Sequence, residues 1–160
     1  MKTLADFLRS AKSHGKPVFG ICFGHQMLAH AHGAEVRKSD NGWGVGAQPY
    51  AFGPESGIDG FNAMVFHQDQ VESLPAGATR IAGNDHCPIG ALAYDFPAMS
   101  VQFHPEFSKP FMEALVNGLR GTLISNKIAE QALSSMEAHA VQSETIARAA
   151  AAFFTSNHAG

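Results

Sequence analysis

The chain has 160 residues, 45% of them hydrophobic and 16% charged, with a formal net charge of −3 and an isoelectric point near 6.3. That composition suits one globular core and excludes a disordered or fibrous chain. The 11 Lys and Arg residues are scattered without a basic stripe, which argues against nucleic-acid and membrane-surface partners, and the longest apolar stretch, "ARAAAAFF" near the C-terminus, is far too short to span a bilayer.

In chain order, Thr3 caps a helix whose Leu4, Phe7, Leu8 and Ala11 share one face, with Gly15 as terminator. The N-terminus has no apolar signal-peptide run, so the cytoplasm is the expected compartment, and Cys22 and Cys87 are expected as free thiols. "KPVFGI" reads as a strand apolar on both faces, as parallel strands under helices are. After Cys22 the period changes to a helix from about Phe23 to His32, ended by Gly33. Short strands follow in "AEVRKS", "VGAQPYAF", "AMVFH", "TRIAG", "IGALAY" and "AMSVQFH". Turn signals at Asp40-Asn41-Gly42, Gly53-Pro54, Leu74-Pro75-Ala76-Gly77 and Asp95-Phe96-Pro97 separate them. The last third is helical, over about Pro110 to Leu119, about Asn126 to Ala138, and a segment with Ile146, Ala149, Ala150 and Phe153 on one face. A single domain is expected over residues 1–160, with 110–160 as its helical C-terminal extension.

Chemistry concentrates at the abrupt strand-to-helix turn. Gly20-Ile21-Cys22-Phe23-Gly24 is the cysteine counterpart of a serine nucleophile elbow, in which small neighbours two residues either side permit a strained bend that lifts the side chain off the sheet. The helix N-terminus should also favour the thiolate and make Cys22 acidic. The competing reading is a buried structural cysteine. In "SVQFHPEF" the two-residue spacing of His104 and Glu106 on an extended chain, held by Pro105, puts both on one side. Glu106 then fixes the tautomer of His104, whose other nitrogen takes the Cys22 proton.

Three ordered motifs resemble the class I, triad-type glutamine amidotransferases: "GICFGHQ" at 20–26, "FHQDQV" at 66–71 and "QFHPEF" at 102–107. The similarity extends over residues 1 to about 120 and includes "GWGVG" at 42–46. The helical tail resembles that of stand-alone bacterial members described as similar to the glutaminase part of GMP synthase. The resemblance implies a three-layer α/β fold with a doubly wound, mostly parallel, flavodoxin-like sheet. It implies hydrolysis of the glutamine side-chain amide through a Cys22 thioester, giving glutamate and ammonia, with no cofactor and often with a partner synthase that receives the ammonia. Carried over by position, Cys22 is nucleophile, His104 base then acid, and Glu106 its orienting carboxylate; Gln26 helps hold glutamine, and the Phe23 N–H is an oxyanion donor.

The family pattern also has a strand–helix–strand portion and a glycine loop, donor of the second oxyanion hydrogen bond, ahead of the elbow, where this chain has 21 residues. The expectation is an N-terminally incomplete sheet, a rate lowered about a hundred- to thousandfold, and an unpaired edge that leads to poor solubility or to a homodimer. Two other functions stay open: hydrolysis of γ-glutamyl conjugates by the same triad, and a non-catalytic fragment. Among the other residues, His67 with Asp69 either lines the glutamine pocket or stabilises a turn. Trp43 reads as packing. His25, His30 and His32 read as helix-end histidines favoured by the dipole rather than as metal ligands, and Cys87 as an inert thiol.

Overall fold

The computed structural model describes residues 2–53 and 60–157. The turn expected at Gly53-Pro54 falls in part outside the described residues. Among them thirteen elements are seen, in the order α1 (Lys2–Ser13), β1 (Val18–Ile21), α2 (Phe23–Ala31), β2 (Val36–Lys38), β3 (Gly44–Phe52), β4 (Phe61–His67), β5 (Asp69–Val71), β6 (Ala78–Gly83), β7 (Ala91–Tyr94), β8 (Ala98–Val101), α3 (Lys109–Leu119), α4 (Asn126–Ala138) and α5 (Ser143–Ser156).

Six strands form one sheet in the order β1-β8-β7-β6-β3-β4, and β2 pairs with β5 in a separate antiparallel ribbon. The α/β architecture read from the sequence is present, but the sheet is mixed rather than mostly parallel. Within it only β1 and β8 run parallel; every other strand pairing among the described residues is antiparallel. Connection length explains the difference. A parallel return needs a crossover of about a dozen residues or more, and β7 reaches β8 through residues 95–97 alone. β1 is the outer strand, and its second edge carries no ladder among the described residues.

Helices cover the sheet through apolar faces. Ala5 and Leu8 of α1 and Met27, Leu28 and Ala31 of α2 pack with Ala98 of β8. Met112 and Val116 of α3 and Ala129, Ala132 and Met136 of α4 pack against Val45, Ala47 and Met64 of β3 and β4. There Gly46, at φ 97°, meets the α4 backbone: an added Cβ would sit 2.8 Å from Cα and O of Ala132. Of the apolar face expected on α5, only Ile146 is fully buried, in the cluster with Tyr50, Phe61 and Phe103. Phe153 and Phe154 approach Phe19 of β1 at ring-centroid distances of 6.3 and 6.4 Å.

Candidate active site

The parallel pairing positions the site. β1 and β8 are in register through Ile21 opposite Val101, so the chains leaving them emerge side by side. Cys22 comes first out of β1 and caps α2, and its N–H donates to the Val101 carbonyl at 2.8 Å. Its backbone, φ 48° and ψ −102°, is the sole non-glycine positive φ among the described residues. Holding a side chain there costs about 1–3 kcal/mol, a strain that clusters at functional sites. The glycine requirement is one-sided. A Cβ on Gly20 would sit 2.7 Å from C and O of Gly24, whereas a Cβ on Gly24 would meet no atom within 4 Å. Gly20 must be small because the first turn of α2 lies on it; Gly24 need not be.

The thiol is not acidic. Burial pushes Cys22 up to about 11, and the nearby Glu106 carboxylate adds to that, outweighing the Phe23 N–H and the Gln102 amide that favour the thiolate. The expected helix-terminus effect is present as the Phe23 contact, and desolvation exceeds it. The resting group is therefore a neutral thiol, whose proton must be removed during reaction.

His104 follows β8 by three residues. Its Nδ1 donates to Glu106 Oε1 at 2.7 Å, which assigns the proton to Nδ1 and leaves Nε2 as the basic nitrogen. The contact arises from a turn, not from an extended segment: the Phe107 N–H reaches the His104 carbonyl at 3.3 Å, and Pro105 takes the second turn position that its fixed φ suits. Phe107 then lies flat against the imidazole, with centroids 4.0 Å apart and planes within 6°. Hydrogen bond and stacking together fix the ring. The sequence reading missed Phe107, whose signal was its place as the fourth residue of a His-Pro-Glu-Phe turn.

Cys22 opens into a pocket of about 380 Å³ lined also by Gln26, Lys38, Trp43, His67 and Asp69. Gln26 donates from Nε2 to the Asp69 carbonyl at 2.8 Å and to Gln102 Oε1 at 3.1 Å. His67 forms the pocket wall at the end of β4, buried, with neither ring nitrogen partnered among the described residues. Asp69 is a strand residue opposite Lys38 in the β2–β5 ribbon, not a turn stabiliser. Trp43 packs edge-on against Phe66 and faces the pocket as well. Phe23 contributes only its backbone here, because its ring is 56% exposed. A groove of about 520 Å³ beside Arg80, Asn84 and Asp85 contains none of these residues.

Gln102, which the sequence reading passed over, is fully buried and donates from Nε2 to Cys22 Sγ at 3.4 Å. A glutamine closing an otherwise apolar strand was its signal. Cys87 is buried and pushed up to about 12 by desolvation, in keeping with an inert thiol. His25 is not a helix-end histidine: it sits in the first turn of α2, fully buried, and contacts Ser100 Oγ at 2.8 Å through Nδ1 and the Ile89 carbonyl at 3.1 Å through Nε2. Among the described residues no three His, Cys, Asp or Glu side chains gather as metal ligands would, and no helix is long and apolar enough to cross a membrane.

Residues 1–117 match the family model described as glutamine amidotransferase class-I. The chain is 35% identical over 117 residues to the glutaminase-type, glutamine-hydrolyzing GMP synthase subunit of Methanocaldococcus jannaschii, covering 66% of this chain and 57% of that protein. It is 28% identical over 133 residues to gamma-glutamyl peptidase 5 of Arabidopsis thaliana, covering 76% and 53%. A glutamine amidotransferase crystal structure from Thermotoga maritima superposes with a TM-score of 0.71 at 25% identity, over 85% of this chain and 61% of that one. The chain thus spans little more than half the length of these two curated relatives.

Proposed function

The chain belongs to the class I glutamine amidotransferase family, and on that premise we propose that it hydrolyses the side-chain amide of glutamine through a glutamyl thioester on Cys22. The observation that carries this reading is the strained Cys22 elbow beside a histidine whose Nδ1 is held by Glu106, leaving Nε2 free. As sulfur attacks the amide carbon, the thiol proton passes to Nε2 of His104, and a C–S bond and an oxyanion form together. The Phe23 N–H, already close to the sulfur, is within reach of that oxyanion. The imidazolium then gives its proton to the amide nitrogen, the C–N bond breaks and ammonia leaves. Water, deprotonated by His104, adds to the thioester; the C–S bond breaks, and glutamate and the thiol are released. Glu106 stabilises the imidazolium at each stage, and Gln26 and His67 line the pocket that holds the glutamine.

The test is trapping with a glutamine-mimicking electrophile, followed by peptide mass analysis, because it needs one attack rather than sustained turnover. Stoichiometric label on Cys22, lost in His104→Ala and competed by glutamine, is expected. No label above that of a neutral alkylating agent of equal intrinsic reactivity would refute the reading.

A second reading, γ-glutamyl peptide hydrolysis, is favoured by the room beyond the thiol. A pocket of about 380 Å³ lies within the range of about 300–1,000 Å³ that holds drug-sized ligands, and Lys38, Trp43 and Leu123 line it beyond Cys22. Relative kcat/KM for glutamine and a γ-glutamyl dipeptide separates the two. For the amidotransferase reading we infer a synthase partner that takes the ammonia, in the cytoplasm; the description of the Methanocaldococcus jannaschii relative as one subunit of a synthase supports it.

A further inference from the structure

We propose that Gln102 is a positioning residue that steadies the Cys22 thiolate as it forms and, through the same amide, locks Gln26 in one orientation for substrate. The proposal rests on the reading of Cys22 as nucleophile. Gln102 follows β8 directly, its N–H donates to the Gly90 carbonyl at 2.8 Å, and its side chain is fully buried. Burying a primary amide is unfavourable unless its hydrogen bonds are made, and Met or Leu would fill the space without that requirement. Here both ends of the amide are used, by Cys22 Sγ at 3.4 Å and by Gln26 Nε2 at 3.1 Å.

Donor and acceptor logic fixes which end is which. The Gln26 amide nitrogen has two hydrogens, one on the Asp69 carbonyl and one on Gln102 Oε1. The Gln102 oxygen must therefore face Gln26, and its N–H must face sulfur. Flipping the amide would set N–H against N–H and an oxygen against the developing thiolate. The chain of bonds leaves Gln26 Oε1 without a partner among the described residues, on a side chain lining the pocket, where it presents an acceptor to a substrate N–H. At the sulfur, the Gln102 N–H and the Phe23 N–H oppose burial and the Glu106 charge.

Two substitutions separate the sulfur contact from the Gln26 contact. Gln102→Met removes both, whereas Gln102→Glu keeps an acceptor for Gln26 Nε2 and replaces the donor at sulfur by an anion. The readout is the second-order rate of iodoacetamide alkylation of Cys22 at pH 8, followed by peptide mass, with thermal melts to establish folding. The Met variant should react about tenfold more slowly than wild type, and the Glu variant more slowly still. If the Glu variant alkylates at the wild-type rate, Gln102 serves only to hold Gln26 and the proposal is overturned; equal rates in all three proteins overturn it as well. Should the Met variant fail to fold, the isosteric Glu variant alone decides. If the alkylation order holds but wild type neither binds nor hydrolyses glutamine, the functional reading falls and the thiolate role stands. Ammonia release with unchanged alkylation rates has the opposite meaning.

Discussion

Lowering the pH from 7.5 to 5 should destabilise this fold well before its carboxylates protonate, because two histidines are buried in the neutral form. His25 makes its two contacts as a neutral ring: the Ile89 carbonyl can only accept, so Nε2 carries the hydrogen and Nδ1 accepts from the Ser100 hydroxyl. Burial pushes His25 down to about 4, and burial together with neighbouring His86 pushes His67 down to about 3. In the unfolded chain both titrate near 6.5. Between those values the unfolded state binds protons that the folded state does not, so stability falls as pH falls through 6.5, and it continues to fall until the folded values are reached. Around pH 5 each group contributes a slope of about 1.2 kcal/mol per pH unit, and by pH 5 each has removed about 2 kcal/mol. Together they remove about 4 kcal/mol from a typical total of about 5–15 kcal/mol. Urea unfolding followed by circular dichroism at pH 7.5, 6.5, 5.5 and 5.0 measures this directly. His67→Leu should halve the slope and be more stable than wild type at pH 5, since the ring nitrogens of His67 have no partner to lose among the described residues. His25→Leu should also flatten the slope, but at a cost of about 1–3 kcal/mol at pH 7, because the Ser100 hydroxyl and the Ile89 carbonyl lose their partner. A wild-type ΔG constant from pH 7.5 to 5, or a His67→Leu slope equal to wild type, would refute the reasoning.

Three further outcomes are expected. Gly20→Ala should lower stability by about 2 kcal/mol or more as its methyl meets the Gly24 backbone, while Gly24→Ala should melt at or slightly above the wild-type temperature; calorimetry compares the two. Glu106→Gln should lower kcat about a hundredfold or more with KM little changed, because the amide no longer stabilises the imidazolium; steady-state ammonia release measures both constants. Cys87 should stay unlabelled by iodoacetamide in the native protein and react only in urea, as peptide mass analysis will report, since the side chain is fully buried.

What the sequence disclosed was local, and what it hid was made by distant chain. The elbow was readable because Gly20, Cys22 and the change from strand to helix lie within a few residues. The acidity inferred from the same stretch was wrong because it considered only the helix terminus; the burial that raises the thiol comes from segments far along the chain. His104 and Glu106 were readable as a pair, yet the link is a proline-led turn, which two-residue spacing alone does not distinguish from an extended segment. β5 escaped notice since Asp69–Val71 is three residues long and exists as a strand only through β2. His25 looked like one of three helix histidines, and its buried role depends on Ser100 and Ile89, more than sixty residues away.

Strand direction does more for this site than any one side chain. Were β8 antiparallel to β1, residues 102–106 would leave the sheet at the opposite end of a four-residue strand, about 13 Å away, and neither His104 nor Gln102 could share an edge with Cys22. Register matters as much. A slip of one residue in β8 would turn Gln102 from the sulfur to the other face and reverse His104 with it. Two hydrogen bonds resist that slip, from the Cys22 N–H to the Val101 carbonyl and from the Gln102 N–H to the Gly90 carbonyl, each at 2.8 Å. The single parallel pair in an otherwise antiparallel run thus converts two segments eighty residues apart into one reacting group, and the hairpin strands beyond it hold the register that keeps them facing.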